Sequence, residues 1–159
     1  MSSSQVTQPM PISKERLRLW LKLLKASRHV ESEIRRRMRS EFNSTLPRFD
    51  VMASLARAPE GLRMSGISGM LKVSNGNVTV IVDKLVEEGL AVREAVPGDR
   101  RASIVRLTDK GQEVFANHAA VHETWIDEIL GGLSQDDVEG MNLRLDHLAK
   151  HLDEIVVKD

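Results

Sequence analysis

The sequence predicts a mainly α protein carrying one small β-hairpin, and three observations predict it. Most of the 159 residues fall into runs whose apolar side chains recur every three or four positions. Two short runs of this kind meet at a tight turn near Val73–Ser74. The second of them, SNGNVTVIVDKLVEEG, ends at Gly89 and passes into a strand–turn–strand segment, LAVREAVPGDRRASIVRLT.

Residues 1–12 are polar with two prolines and read as a disordered terminus. Ser13–Phe42 reads as one long helix, because Leu17, Leu21, Leu24, Val30, Ile34, Met38 and Phe42 recur at helical spacing. Leu19, Trp20 and Leu23 widen its apolar surface, so more than one partner is expected to cover it. Asn43–Leu46 is a break, and Pro47 suits the first turn of the next helix, Pro47–Arg57. Ala58-Pro59-Glu60-Gly61 stops that helix, and Leu62–Met64 can form a short strand. Ser65 is a good N-cap for a helix ending near Lys72, and Ser74 for the one after it. Val78, Ile81, Val82 and Leu85 form the inward stripe of that later helix, and Gly89 ends it. Leu90–Ala95 and Ser103–Thr108 read as strands joined through a turn at Pro97-Gly98. Thr108 caps a helix over residues 109–130 with Val114, Phe115, Val121, Trp125 and Ile129 inward. Gly131-Gly132 breaks it, and Ser134 caps a last helix striped with Val138, Met141, Leu145, Leu148, Leu152, Ile155 and Val156.

Two short helices at a tight turn, followed by a hairpin with basic residues at its tip, form a device for reading duplex DNA. The second helix enters a major groove and the hairpin reaches the flanking backbone or minor groove. The charge distribution suits that use, although the 23 basic and 23 acidic residues cancel overall. Residues 1–61 hold twelve basic and six acidic side chains, residues 62–111 eight and six, and residues 112–159 three and eleven. A positive first two-thirds and an acidic tail offer one face to phosphates and another to protein or solvent. Absence of Cys excludes disulfides and thiol redox sensing. No apolar run approaches the ~20 residues needed to span a bilayer, so no membrane partner and a cytoplasmic location are expected.

The order of these elements, with SNGNVTVIVDKLVEEGL, the wing GDRRA and the following IVRLTDKG, resembles the MarR family of winged helix-turn-helix regulators over roughly residues 15–155. The resemblance implies a winged helix-turn-helix at 47–108, flanked by N- and C-terminal dimerisation helices at 13–46 and 109–157. It implies a homodimer on a pseudo-palindromic operator with half-sites ~34–36 Å apart, most often as a repressor. On the reading helix, Asn75, Gly76, Asn77, Thr79 and Val80 fall on the outer face near its start. Asn bonds adenine bidentately, Thr and Val touch a thymine methyl, and Gly76 permits close backbone approach. Ser74 with the first-turn N–H groups suits a phosphate, as does Lys84. In the wing, the family's D-x-R pattern falls on Asp99 and Arg101. It implies Arg101 in the minor groove, oriented by Asp99, with Arg100 tracking the backbone.

Family members usually respond to a small aromatic acid or related compound. The stretch from Leu17 to Leu55 is similar to a subgroup responding to hydroxycinnamates or their coenzyme A thioesters. Trp20, Phe49 and Met52 can wall an aromatic site, and Arg16, Arg28 and Arg48 can meet a carboxylate or phosphate. The alternative input is zinc, through His118 and His122, four apart on one helix; His147 and His151 repeat the spacing. No cofactor is expected. Neither a nucleophile–base set, a phosphate loop nor a paired-carboxylate pattern appears, so an enzyme is not expected.

Overall fold

A computed structural model describes residues 10–71 and 75–156 of the chain. Most of the expected disordered terminus lies outside them. In order, the elements are α1 (Ile12–Phe42), α2 (Leu46–Ala56), β1 (Leu62–Arg63), α3 (Met64–Leu71), α4 (Asn75–Glu87), β2 (Ala91–Val96), β3 (Asp99–Leu107), α5 (Asp109–Ile129) and α6 (Gln135–Val156). The mainly α class with one small antiparallel sheet is as the sequence predicts. The strands lie in the order β1-β3-β2. Two compact units divide the chain, Met1–Ala119 and Ala120–Asp159, and α5 contributes to both.

In the first unit, α2, α3, α4 and the sheet close around one apolar core. Val51, Met52 and Leu55 enter from α2, Ile67 from α3, and Val78, Val82 and Leu85 from α4; Leu90, Ala91, Val105 and Leu107 complete it. Ile81, expected inward, is only half-buried at its edge. Full burial of side chains this size stabilises by roughly 1.5–3 kcal/mol each, so this cluster fixes where α4 sits. Helix α1 ends at Asn43, whose φ of 47° is the left-handed cap expected of Asn. Thr45, inside the expected break, starts α2 by accepting the Arg48 N–H.

The Ser65 cap is a correction. Helix α3 starts at Met64, directly from β1, so Ser65 lies inside the first turn and caps nothing. The wing strands also differ, since β3 begins at Asp99 rather than near Ser103. Ser74, proposed as the cap of the following helix, lies outside the described residues.

In the second unit, Ser134 and Asp137 cap α6 reciprocally, at 3.0 and 3.2 Å through the two backbone N–H groups. The Ser134 bonds hold the Asp137 carboxyl below its ordinary value. No residue of α6 is buried. Val138, Met141, Leu145, Leu148, Leu152 and Ile155 are all exposed. Their alternating three- and four-residue spacing is the pattern of a coiled-coil seam.

Candidate nucleic-acid interface

Helix α4 is pinned by its inner face and open on its outer one. Val78, Val82 and Leu85 are wholly buried, whereas Asn77, Thr79, Val80 and Lys84 are exposed. Val80 is 65 % exposed, an apolar side chain on the wrong side for packing. The side chain of Asn75 and the surroundings of Gly76 lie outside the described set, although both residues belong to the helix.

The far end of α4 is clasped by residues from three other elements. Leu90 N–H donates to Leu85 O at 2.8 Å and Gly89 N–H to Val86 O at 3.0 Å, a Schellman closure with Gly89 at φ +73°. Thr108 then serves two helices. Its hydroxyl donates to Gly89 O at 2.7 Å and accepts from Gly111 N–H at 3.0 Å, starting α5. Lys110 Nζ reaches Glu88 O at 3.3 Å, a cation at a helix C-terminal end. Gly111 permits the close approach of α5 to the Leu90 backbone, because a Cβ there would lie 1.9 Å from Leu90 O. Arg48 of α2 grips the Glu88 carboxylate with both terminal nitrogens and holds its carboxyl below the ordinary value. Arg93 of β2 pairs with Asp83 at 2.8 Å.

The wing is a hairpin with a large irregularity. Pro97 and Gly98 form its turn, with Gly98 at φ +83°, the pattern of a type II turn. Turns of that hand splay the strands they join. Pairing accordingly jumps from Ala95↔Ser103 to Val96↔Asp99, leaving residues 100–102 without partners across the hairpin. Arg100 and Arg101 therefore stand in a bulge of β3. The Asp99 carboxylate accepts from the Arg101 backbone N–H at 3.0 Å, so it braces the bulge through the main chain. Nearby arginines are neutralised: Arg106 bonds Glu94 at 2.7 Å and Arg93 bonds Asp83. Among the described residues, no carboxylate pairs with the side chains of Arg100 or Arg101.

The ligand candidates do not gather in one chain. Met52 is 2 % exposed and belongs to the core, and Arg48 is occupied by Glu88. Phe49 packs on Phe115 at 5.5 Å between ring centres, and Phe42 stacks on His118 at 3.9 Å. Trp20 is exposed on α1, 22 residues before Phe42, or about 33 Å along the helix at 1.5 Å per residue. Arg28 is exposed on the same helix, as is Arg16. Of the zinc pair, His118 is stacked and its ring is held below the ordinary pKa by burial and by Arg48, while His122 meets Trp125 edge-on. No group of three or more His, Asp or Glu able to hold a metal occurs among the described residues. On α1, Arg35 pairs with Glu31, and Arg36 and Arg37 with Glu33. Those two arginines pull the Glu33 carboxyl down to about 2.

A helix presented outward from the core beside a bulged, basic hairpin defines a winged helix-turn-helix protein. A family model for the MarR family matches residues 43–102. The HTH-type transcriptional regulator YkoM of Bacillus subtilis strain 168 is 37 % identical over 122 residues, covering 76 % of this chain and 77 % of that protein. A MarR family transcriptional regulator from Silicibacter pomeroyi superposes with a TM-score of 0.73 at 30 % identity, over 91 % of this chain and 99 % of the other. Sco3205, a MarR family transcriptional regulator from Streptomyces coelicolor solved in complex with DNA, shares the fold with a TM-score of 0.73 at 21 % identity, over 92 % of each chain. The chain belongs to the MarR family: it is a DNA-binding transcriptional regulator and not an enzyme. No helix among the described residues is long and apolar enough to cross a membrane.

Proposed function

We propose that two copies of this chain form a repressor that holds a pseudo-palindromic operator until a small aromatic acid, or its coenzyme A thioester, releases it. Residues 47–108 form the reading head, and residues 13–46 and 109–157 the dimerisation arms. Each α4 enters a major groove, with Asn75, Asn77, Thr79 and Val80 against base edges and Ser74, Gly76 and Lys84 toward the backbone. Arg101 enters the minor groove while Arg100 follows the phosphates. The observation that carries this reading is that, among the described residues, the side chains of Arg100 and Arg101 have no carboxylate partner in a hairpin whose other arginines are paired. Two uncompensated cations raised on a bulge suit a polyanion and are a poor use of residues otherwise. Exposed apolar rows on α1 and α6 support the dimer, since isolated helices with such rows need cover.

The effector reading is supported by Arg48. It is a cation at the start of α2 whose partner, Glu88, sits just past the end of α4. An anion that captured Arg48 would release that end of the reading helix, giving the ligand a differential affinity for two positions of α4. Phe49, next in sequence, supplies an aromatic surface beside it.

The test is fluorescence anisotropy with duplex from the chain's own promoter and with random duplex, each across a salt series. Tighter binding to the promoter, weakened by aromatic acids or their thioesters, is the expected result. A stable monomer with no preference between the two duplexes overturns the regulator mechanism; indifference to the whole ligand panel overturns the effector alone.

A further inference from the structure

We infer that the reading head carries a phosphoryl-oxyanion seat at the root of the wing, with Arg63 as its principal cation. This rests on the reading above but adds a cation, Arg63 of β1, that lies on neither α4 nor the wing tip. A cavity of about 300 Å³ lies there, bounded by β1, the first turns of α3, Thr79 of α4 and the bulged part of β3. Strand alternation sets its chemistry. Leu62 of β1 packs toward the core, so its neighbour Arg63 faces the other way and lines the cavity. Arg101 lines the opposite side. No carboxylate among the described residues pairs with either guanidinium.

The rest of the wall donates hydrogen bonds. Ser65, freed from capping because α3 begins at Met64, contributes a hydroxyl, and Ser103 another. The Ser68 hydroxyl is buried with no hydrogen-bond partner among the described residues, although the residue lines the cavity. A buried hydroxyl left without a partner is unfavourable, and a bound acceptor would relieve it. Asp99 also lines the space, but its carboxylate accepts from the Arg101 N–H, and two guanidiniums outweigh its charge. Two cations, three hydroxyls and a small volume match a tetrahedral oxyanion far better than an apolar effector. Thr79 and Arg101 also belong to the proposed DNA surface, so the expected source is one backbone phosphodiester of the operator. Free phosphate is the other source of the same chemistry.

The test compares wild type with Arg63→Gln and Arg63→Lys on operator and random duplex across a salt series. Removing one phosphate contact is expected to weaken both duplexes by the same severalfold factor and to lower the salt slope by about one. Arg63→Lys, which keeps the charge, is expected to restore the slope, with thermal midpoints equal in all three proteins. Operators carrying a single neutral methylphosphonate should erase the difference between wild type and Arg63→Gln at one position in each half-site. Inorganic phosphate at constant ionic strength separates the sources. If it displaces duplex from wild type but not from Arg63→Gln, the seat also takes the free anion; if it displaces neither, the seat is specific to the backbone. Unchanged affinity and slope in Arg63→Gln overturn the seat, as does a loss confined to the operator with an unchanged slope. If wild type ignores duplex altogether, the function proposed above falls and this seat with it.

Discussion

The reading head and the helical arms treat their apolar residues in opposite ways. In the head, Val51, Leu55, Ile67, Val78, Val82, Leu85 and Val105 are wholly buried by neighbours from the same chain. On α6 no residue is buried, and six apolar side chains from Val138 to Ile155 stand on one exposed seam. The amino-terminal half of α1 behaves like α6, with Leu17, Leu19, Trp20 and Leu21 exposed, whereas Ile34 and Met38 nearer its end are buried. The difference separates two kinds of stability. One region satisfies itself, and its exposed face is left for charge and hydrogen bonds. The other carries apolar rows that the described residues do not cover.

Four perturbations break or sharpen this comparison. The largest effect is expected from Gly111→Ala, inside the self-sufficient region. The new Cβ would meet Leu90 O at 1.9 Å, and backbone cannot rotate away as a side chain can. A loss of about 3 kcal/mol is expected by urea unfolding; an unchanged midpoint would mean that the clasp between α4 and α5 is not as close as described. Next comes Leu145→Glu with Leu152→Glu on the α6 seam. Sedimentation should then report a monomer at micromolar concentration, while the folded content of the head is kept. A double variant with wild-type mass would erase the contrast between head and arms.

Arg101→Ala tests the outer face of the head. Its exposed side chain makes no ion pair in the described chain, so the thermal midpoint should hold. Operator affinity is expected to fall about 10- to 100-fold, the worth of a specific contact at about 1–3 kcal/mol. A folded variant with full affinity would remove the wing from recognition. The smallest effect is a pH dependence at His118. Burial against Phe42, and secondarily Arg48, holds its ring below the ordinary 6.5. The unfolded chain therefore binds the extra proton first, so this contribution is present above about pH 6.5 and is lost as pH falls through the lowered folded value. His118→Gln should flatten the thermal midpoint between pH 7.5 and 5; an equally steep profile would place the sensitivity elsewhere.

Much of this head was legible before any coordinates. The inward residues Val78, Val82 and Leu85, the Gly89 stop, the Pro97-Gly98 turn and the Thr108 cap are all where their local chemistry puts them. Ser65 shows where such reasoning ends. A serine before an apolar run is a fair cap, but direct continuation from β1 into α3 moves the helix start to Met64. Arg63 carried no signal at all, because a lone arginine in a two-residue strand has no period. The ligand candidates do not meet within one chain for a similar reason. Aromatic and basic residues close in sequence are not close in space when one of them lies on a helix 31 residues long.

Sequence alone determined the helices, the turn and the family, since periodicity, caps and glycine stops act within one or two turns of chain. The tertiary structure decided which charges are free. Arg48 is neutralised by Glu88, 40 residues away, Arg93 by Asp83 and Arg106 by Glu94, while among the described residues Arg63, Arg100 and Arg101 meet no carboxylate partner for their side chains. It also decided why Gly111 must be glycine, because Leu90 O approaches from the turn between α4 and β2. Such pairings depend on distances across the fold, and no local rule in the chain carries them.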